Sequence, residues 1–432
     1  MNVTITPGPL SGTVTPPPSK SQAHRALIAA ALAQGESAVS NVALSQDIEA
    51  TVRCLEELGA EFAIDGSAAA VRGMGANPMS PLRRMAYPHL DCGESGSTLR
   101  FLIPIALAVR GGGIFTGRGR LMERPLAPYE RLFREKGIVW EQQDGVLTVQ
   151  GLLTPGEYAL AGNVSSQFFT GLLFALPLLD GPSALLPTTF LESEGYISMT
   201  LEAMARFGVE LAATLSLPPQ WHAQGRQTYV PQRVAVEADW SQAGFWYAAQ
   251  VLGNPVAVAG LDPDSAQPDR VVAQFARQLT GGKAAGTGWE DGGKTGGRRG
   301  EDGGTELDVS GCPDLVPPLA AMAALCPGRE TRLVNAGRLR AKESDRLSAV
   351  TQVLTALGAE VSEGADFLRI RGRETLPGGV TVDSCNDHRI AMMTAILATR
   401  CQRPVVLTGA GSVAKSYPDF WEEYRRLGGQ AL

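Results

Sequence analysis

Ser19-Lys20-Ser21-Gln22-Ala23-His24-Arg25 runs directly into Ala26-Leu27-Ile28-Ala29-Ala30-Ala31-Leu32. Pro16 to Pro18 fix an extended approach, and the hydroxyls of Ser19 and Ser21 are placed to cap the first free amides. The apolar run that follows predicts a helix buried on every side. Lys20 and Ser21 then stand at the positive end of the helix dipole, and Arg25 lies one turn along on the face of Ser21. Such a helix mouth is built to hold an anion. Taken alone, so short a polar cluster fits a capped core helix with two solvated cations equally well.

The chain repeats the arrangement. Polar residues open an apolar helix again at Gly93-Glu94-Ser95-Gly96-Ser97-Thr98-Leu99-Arg100, Ser165-Ser166-Gln167-Phe168, Asp239-Trp240-Ser241-Gln242, Cys312-Pro313-Asp314-Leu315 and Asn386-Asp387-His388-Arg389. With Ser21, Ser95, Ser166, Ser241, Asp314 and Asp387 as markers, the spacings are 74, 71, 75, 73 and 73 residues, so six steps fill the 432 residues. Between the markers an amphipathic helix ends in glycine and two short strands follow, at Leu58-Gly59-Ala60-Glu61, Lys136-Gly137-Ile138-Val139, Phe207-Gly208-Val209-Glu210 and Leu357-Gly358-Ala359-Glu360. Each unit is therefore mixed α/β. Units of this length are duplicated subdomains, longer than the repeats of a solenoid.

The sixth unit reaches Leu427-Gly428-Gly429 just where its strands are due, and the chain stops. Val3-Thr4-Ile5-Thr6 alternates like a strand and is expected to supply one of them. This brings the two ends of the chain together and predicts one domain from 1–17 plus 238–432 and another from 18–237. A length of 432 residues also exceeds what one core usually serves. The segment 281–304, rich in glycine and mixed charge, falls at the strand-turn-strand part of the fourth unit and is expected to be a long surface turn.

A net charge of -6 with 19% charged residues offers no global attraction for nucleic acid or an acidic membrane, so the cations that matter are local. The six cysteines include no C-x-x-C pair and the four histidines have no ligand spacing, which predicts neither a disulfide framework nor a metal site and points to a reduced cytoplasm. No apolar run approaches the roughly 20 residues of a membrane span, and Met1-Asn2-Val3-Thr4 does not resemble an export signal.

Further charged clusters lie near the helix heads. Gly117-Arg118-Gly119-Arg120-Leu121-Met122-Glu123-Arg124-Pro125 can set guanidinium forks against phosphate or carboxylate, or be a solvated turn. Leu191-Glu192-Ser193-Glu194-Gly195-Tyr196 carries a hydroxyl and a phenol into a helix. Arg338-Leu339-Arg340-Ala341-Lys342-Glu343-Ser344-Asp345-Arg346 precedes a helix for which Ser344 is the expected cap, which leaves Lys342 and Glu343 unneeded for helix formation and suited to trade protons. Ala414-Lys415-Ser416 places one more lysine ahead of the last helix.

In this order, from Pro18-Ser19-Lys20-Ser21 through Arg340-Ala341-Lys342-Glu343-Ser344-Asp345-Arg346 to Ala414-Lys415, these pieces resemble the EPSP synthase (3-phosphoshikimate 1-carboxyvinyltransferase) branch of the enolpyruvyl transferase family, over essentially the whole chain. The resemblance implies a two-domain fold of six βαβαββ units, three per domain, whose helix mouths form a cationic cleft. It implies shikimate 3-phosphate and phosphoenolpyruvate as substrates, an addition-elimination reaction, no cofactor or metal, and a monomer without nucleic-acid or membrane partners. Carried over by residue, Lys20, Gly96, Arg124, Gln167, Arg346, Arg389 and Lys415 bind phosphoenolpyruvate. Lys20, Ser21, Arg25, Ser165, Ser166, Gln167, Ser193, Tyr196, Asp314 and Lys342 bind shikimate 3-phosphate. Asp314, Glu343, Lys20 and Lys415 are the catalytic candidates. Glu94 and Glu194-Gly195 depart from the family pattern and remove favourable charge near the anions.

Three other readings are weaker. UDP-N-acetylglucosamine enolpyruvyl transferases carry Lys-Asn where this chain has Lys20-Ser21, and a cysteine in the loop corresponding to 117–124, where none stands here. A non-catalytic anion-binding scaffold of the same repeats needs no converging lysines, arginines and carboxylates. A nucleotide phosphotransferase lacks its G-x-x-x-x-G-K-[ST] loop.

Overall fold

Two kinds of helix alternate along the chain, seen in a computed structural model that describes residues 1–75, 87–214, 216–281, 298–299 and 304–432. In order they are α1 (Lys20–Leu32), α2 (Gln46–Leu58), α3 (Gly96–Arg110), α4 (Ala127–Glu135), α5 (Ser166–Ala175), α6 (Glu194–Arg206), α7 (Trp240–Val251), α8 (Val272–Thr280), α9 (Val316–Ala324), α10 (Arg346–Leu357), α11 (His388–Ala398) and α12 (Phe420–Arg426). The odd-numbered helices are the apolar ones that the polar heads announce. In α1 every residue from Ala26 on but Ala26 itself is buried, and Leu27, Ile28 and Leu32, at 0% exposure, each contribute about 1.5–3 kcal/mol of burial free energy. The even-numbered helices bury one face, and Gly59 (φ 110°) and Gly358 (φ 94°) end α2 and α10 in the left-handed conformation expected of them.

The chain divides into two compact units, Pro18–Glu237 and Met1–Pro17 with Ala238–Leu432. In Pro18–Glu237 three four-stranded sheets share one pairing scheme, a parallel pair followed by two antiparallel neighbours. The first joins Arg233–Ala235, Glu36–Ser40, Ala68–Arg72 and Glu61–Asp65. The second joins His89–Asp91, Gly112–Thr116, Val146–Gln150 and Val139–Gln143, and the third Gly156–Leu160, Ser183–Pro187, Trp221–Ala223 and Ala212–Ala213. The core of this unit is drawn closely around α3 and α5. Pro104 inside α3 has no N–H for the Arg100 carbonyl, and the Tyr129 hydroxyl from α4 donates to that carbonyl (3.0 Å) and to Phe168 of α5 (2.7 Å) instead. Gly171 of α5 is required at this crossing, because a methyl there would stand 2.6 Å from the Arg100 carbonyl oxygen.

The other unit keeps the same scheme. Thr305–Asp308, Glu330–Val334, Leu368–Arg371 and Glu360–Glu363 pair as parallel, antiparallel, antiparallel. So do Thr381–Asp383, Val405–Thr408, Asn2–Thr6 and Gln430–Ala431. Asn2–Thr6 thus takes the place for which the last repeat has no strand of its own, with Val3 and Ile5 facing the core. Gly12–Val14 and Val256–Val258 form a further parallel pair. Of the glycine-rich 281–304 stretch, Gly281 caps α8 and Arg298–Arg299 pairs with Thr305–Asp308, while 282–297 and 300–303 lie outside the described residues. Among the described residues no helix is long and apolar enough to cross a membrane.

Candidate functional site

The candidate residues fall into two groups, one at the helix heads of each unit. In Pro18–Glu237, Ser19 caps α1 by accepting from the Gln22 amide (3.4 Å), and Lys20 in the first turn donates to Asp47 Oδ2 at the head of α2 (2.7 Å). Arg25, one turn along, donates to the Ser21 carbonyl (2.7 Å), Thr200 Oγ1 (2.9 Å) and the Tyr196 carbonyl (3.0 Å). Ser21, Arg25 and Tyr196 are thereby brought together across α1 and α6. Burial draws the Arg25 guanidinium down to about 10, which still leaves it charged at neutral pH. Ser193 stands buried just ahead of α6 with φ 56°.

Ser95 caps α3 by accepting from the Thr98 amide (3.1 Å), and Gly96 begins the helix. A methyl at Gly96 would lie 2.6 Å from Arg124 Nη1 and 2.8 Å from its Cζ, so the missing side chain is what lets this guanidinium approach the α3 head. Ser165 caps α5 through the Gln167 amide (3.3 Å). The Gln167 side chain donates to Ser97 Oγ (2.9 Å) and accepts from Arg100 Nη1 (2.7 Å), while Arg100 Nη2 donates to the Pro125 carbonyl beside Arg124 (3.2 Å). Beneath these heads, Thr51 Oγ1 lies 2.8 Å from His24 Nδ1 and 2.6 Å from Thr98 Oγ1, and Thr98 donates to Ser95 Oγ (2.7 Å). Burial, with Lys20 and Arg25 nearby, holds His24 well below the usual histidine range, so the imidazole is neutral.

In the second unit the candidates gather on one carboxylate. Asp314 sits in the turn Pro313–Leu315 ahead of α9. Its Oδ1 accepts from Arg346 Nη1 (2.9 Å), its Oδ2 from Arg389 Nη2 (3.0 Å) and its carbonyl from Arg389 Nη1 (3.1 Å), with Lys342 Nζ 3.6 Å from Oδ1. Arg346, 1% exposed, also donates to Asp387 Oδ2 (2.9 Å) and Glu343 Oε2 (2.7 Å). Desolvation pulls the Arg346 pKa down, but Asp387, Glu343 and Asp314 together outweigh it and hold it above the ordinary arginine value. Lys342, with a side chain 23% exposed, is lowered to about 8, first by desolvation and then by Arg346, against the opposing pull of Asp314. Lys415 is buried and donates to the Asn386 carbonyl at the head of α11 (2.6 Å).

The cap of α10 differs from the expectation. Asp345 accepts from the Ser348 amide (3.2 Å), and Ser344 donates to Asp387 Oδ2 (3.0 Å). Arg340, 3.0 Å from Asp345 Oδ2, steadies the carboxylate that caps, so the helix begins one residue later than expected and Lys342 and Glu343 still lie outside it. Four residues that hold the candidates carry no role in the sequence reading: Asp47, Arg100, Asp387 and Gln242, the last of which donates to Ser416 Oγ beside Lys415 (3.1 Å). Asp387 and Gln242 belong to the repeated polar heads and were open to being found there. Asp47 opens an amphipathic helix, where an acid is unremarked because it suits the helix dipole.

A family model described as EPSP synthase (3-phosphoshikimate 1-carboxyvinyltransferase) matches residues 5–424. The chain is 43% identical over 431 residues to a 3-phosphoshikimate 1-carboxyvinyltransferase of Clostridium kluyveri, covering 99% of this chain and 97% of that protein. A relative of the same name from Clostridium novyi is 41% identical over 434 residues, covering 99% and 98%. The solved EPSP synthase of Acinetobacter baumannii superposes with a TM-score of 0.76 over 100% of this chain and 99% of that one at 22% identity, a likeness of fold.

Proposed function

The chain belongs to the EPSP synthase (3-phosphoshikimate 1-carboxyvinyltransferase) family, and from that premise we propose how its own residues divide the reaction. The enzyme transfers the 1-carboxyvinyl group of phosphoenolpyruvate to the 5-hydroxyl of shikimate 3-phosphate, releasing phosphate. In the addition step the 5-oxygen bonds to C2 of the enol and gives up its proton while C3 gains one. In the elimination step C3 returns a proton and the C2–O bond to phosphate breaks. Proton transfer at two atoms, the 5-oxygen and C3, and the neutralisation of two phosphates and a carboxylate are thus required, with water kept from the reacting atoms.

Arg346, Arg389, Arg124, Lys20 and Lys415 neutralise phosphoenolpyruvate, with Gly96 and Gln167 shaping its seat. Ser21, Arg25, Ser165, Ser166, Gln167, Ser193, Tyr196 and Lys342 hold shikimate 3-phosphate, with Lys20 and Asp314. The observation that carries the assignment of proton transfer is that Asp314 and Glu343, from separate segments, are both fixed by the one Arg346 guanidinium (2.9 and 2.7 Å). The shared guanidinium fixes both carboxylates in position, and positioned carboxylates are what proton transfer at two atoms requires. Asp314, next to Lys342, takes the hydroxyl proton. Glu343 serves C3, and Lys20 and Lys415 are the cationic partners that give protons back. The six free thiols support a place in the reducing cytoplasm, and the protein is proposed to act there as a monomer.

The role of Lys342 has a pH signature. Its pKa in the free protein is lowered to about 8, so the ammonium that meets the sugar phosphate is present at pH 7 and lost as pH rises through 8. An anion bound against it raises that pKa, and the Michaelis constant for shikimate 3-phosphate should increase about tenfold from pH 7 to pH 9. Lys342→Met should bind weakly and without pH dependence in that window. Steady-state kinetics at both pH values checks this, and a wild-type constant that does not move would remove Lys342 from the binding of shikimate 3-phosphate.

A further inference from the structure

Five of the six helix heads carry a group with a proposed part in the reaction, and the head of α7 carries none. Its sequence, Asp239-Trp240-Ser241-Gln242, has the cap-x-Ser-Gln order of Ser19-Lys20-Ser21-Gln22, and Ser-Gln appears again at Ser166-Gln167. In each copy the glutamine ties its own helix head to a neighbouring segment. Gln22 Oε1 accepts from the Glu237 amide (3.0 Å), and Gln167 bridges Ser97 and Arg100. Gln242, 1% exposed, donates from Nε2 to Ser416 Oγ (3.1 Å), across 174 residues of chain.

We propose that Gln242 is a positioning residue for Lys415. The short helix Ala410–Lys415 ends in an irregular conformation at Ser416 (φ -146°, ψ -23°), so the lysine sits where the backbone leaves regular structure and needs an outside hold. The Asn386 carbonyl at the head of α11 holds the ammonium (2.6 Å), and Gln242 at the head of α7 holds the adjoining residue. Gln242 is itself fixed, because its amide donates to the capping carboxylate of Asp239 (3.0 Å). One turn further along the same face of α7, Trp246 packs edge-on against Tyr417, ring centroids 6.4 Å apart, which continues the contact with the Lys415 segment. The Gln242 Oε1 atom is buried and finds no hydrogen-bond partner among the described residues. The burial of this carbonyl is a cost, and the bond from Nε2 to Ser416 Oγ is what offsets it.

The inference rests on the proposed role of Lys415 and is separable from it. Leucine at position 242 matches glutamine in size and removes the unpartnered carbonyl with the amide, so Gln242→Leu should melt within a few degrees of the wild type. It should lower kcat/KM for phosphoenolpyruvate by about tenfold while the Michaelis constant for shikimate 3-phosphate changes less than about twofold. Ser416→Ala should show the same split, and the double variant should be no worse than either single one, since each removes the same bond. Kinetics on the three variants and on Lys415→Met decides the matter. Wild-type kcat/KM in Gln242→Leu together with an inactive Lys415→Met would overturn the positioning role alone, and so would an equal rise in both Michaelis constants or multiplied losses in the double variant. Full turnover in Lys415→Met would instead overturn the assignment on which it rests.

Discussion

Arg346→Met should cost about 3–5 kcal/mol of stability at neutral pH, the range found when one partner of a buried ion pair is removed and the other is left. The guanidinium is 1% exposed and meets Asp387, itself 0% exposed, along with Glu343 and Asp314. Methionine fills much of the volume but returns none of the charge, so Asp387 is left in the interior without the guanidinium, beside the hydroxyl of Ser344 and the amide of Arg389. Against the roughly 5–15 kcal/mol that holds a typical domain, this is a large share. Adding Asp387→Asn should return part of the loss, because it removes the stranded charge rather than the hole. Urea unfolding of the single and double variants measures both effects. A loss under about 1 kcal/mol in Arg346→Met would mean that the cluster is hydrated and that its charges are not interdependent.

Glu343→Gln should lower kcat by about 10²-fold or more while both Michaelis constants stay within about threefold. Glutamine keeps the shape and retains an oxygen that can accept from Arg346 Nη2, now 2.7 Å from Glu343 Oε2, so the neighbouring groups have no reason to move. What it loses is the capacity to take up a proton. The split between turnover and binding is the informative part, since a variant that merely disturbed Arg346 would raise the constant for phosphoenolpyruvate as well. Initial rates across both substrates separate the two cases. Turnover within twofold of the wild type would remove Glu343 from proton transfer.

Much of this architecture is written locally. A capping side chain followed by an unbroken apolar run specifies α1, α3, α5, α7 and α11, because both signals lie within about one turn of the place they act, while α9 starts from the Pro313–Leu315 turn without a side-chain cap. The place of Asn2–Thr6 is legible from the repeat, because the sixth unit lacks one of its strands and Val3 and Ile5 have the alternation to fill that sheet position. Asp314, Lys342, Glu343, Arg346 and Arg389 were each nameable from motifs. That they share one carboxylate and one guanidinium was not, because Asp314 and Arg389 are 75 residues apart and nothing local fixes how their helix heads meet.

What the sequence leaves hidden has the same physical cause. Ser344 and Asp345 are both good caps, and the choice between them is made by Arg340 on one and Asp387 on the other, the latter 43 residues away. Gly96 marks a close approach to the backbone, and the Arg124 guanidinium, itself a proposed partner of phosphoenolpyruvate, stands at that place. A glycine reports that something comes near, without reporting what. Asp47 and Gln242 act through residues 27 and 174 positions distant, and their types are common at helix heads for reasons of capping and dipole alone.

The central claim is that this chain joins shikimate 3-phosphate to the enol of phosphoenolpyruvate, and continuous detection of released phosphate from the purified protein tests it most directly. With both substrates present, phosphate should appear in one-to-one ratio with consumed shikimate 3-phosphate, and without the sugar phosphate release should fall to background. Release from phosphoenolpyruvate at the same rate whether or not shikimate 3-phosphate is present would show a simple hydrolase, and no release with both present would contradict the assignment outright.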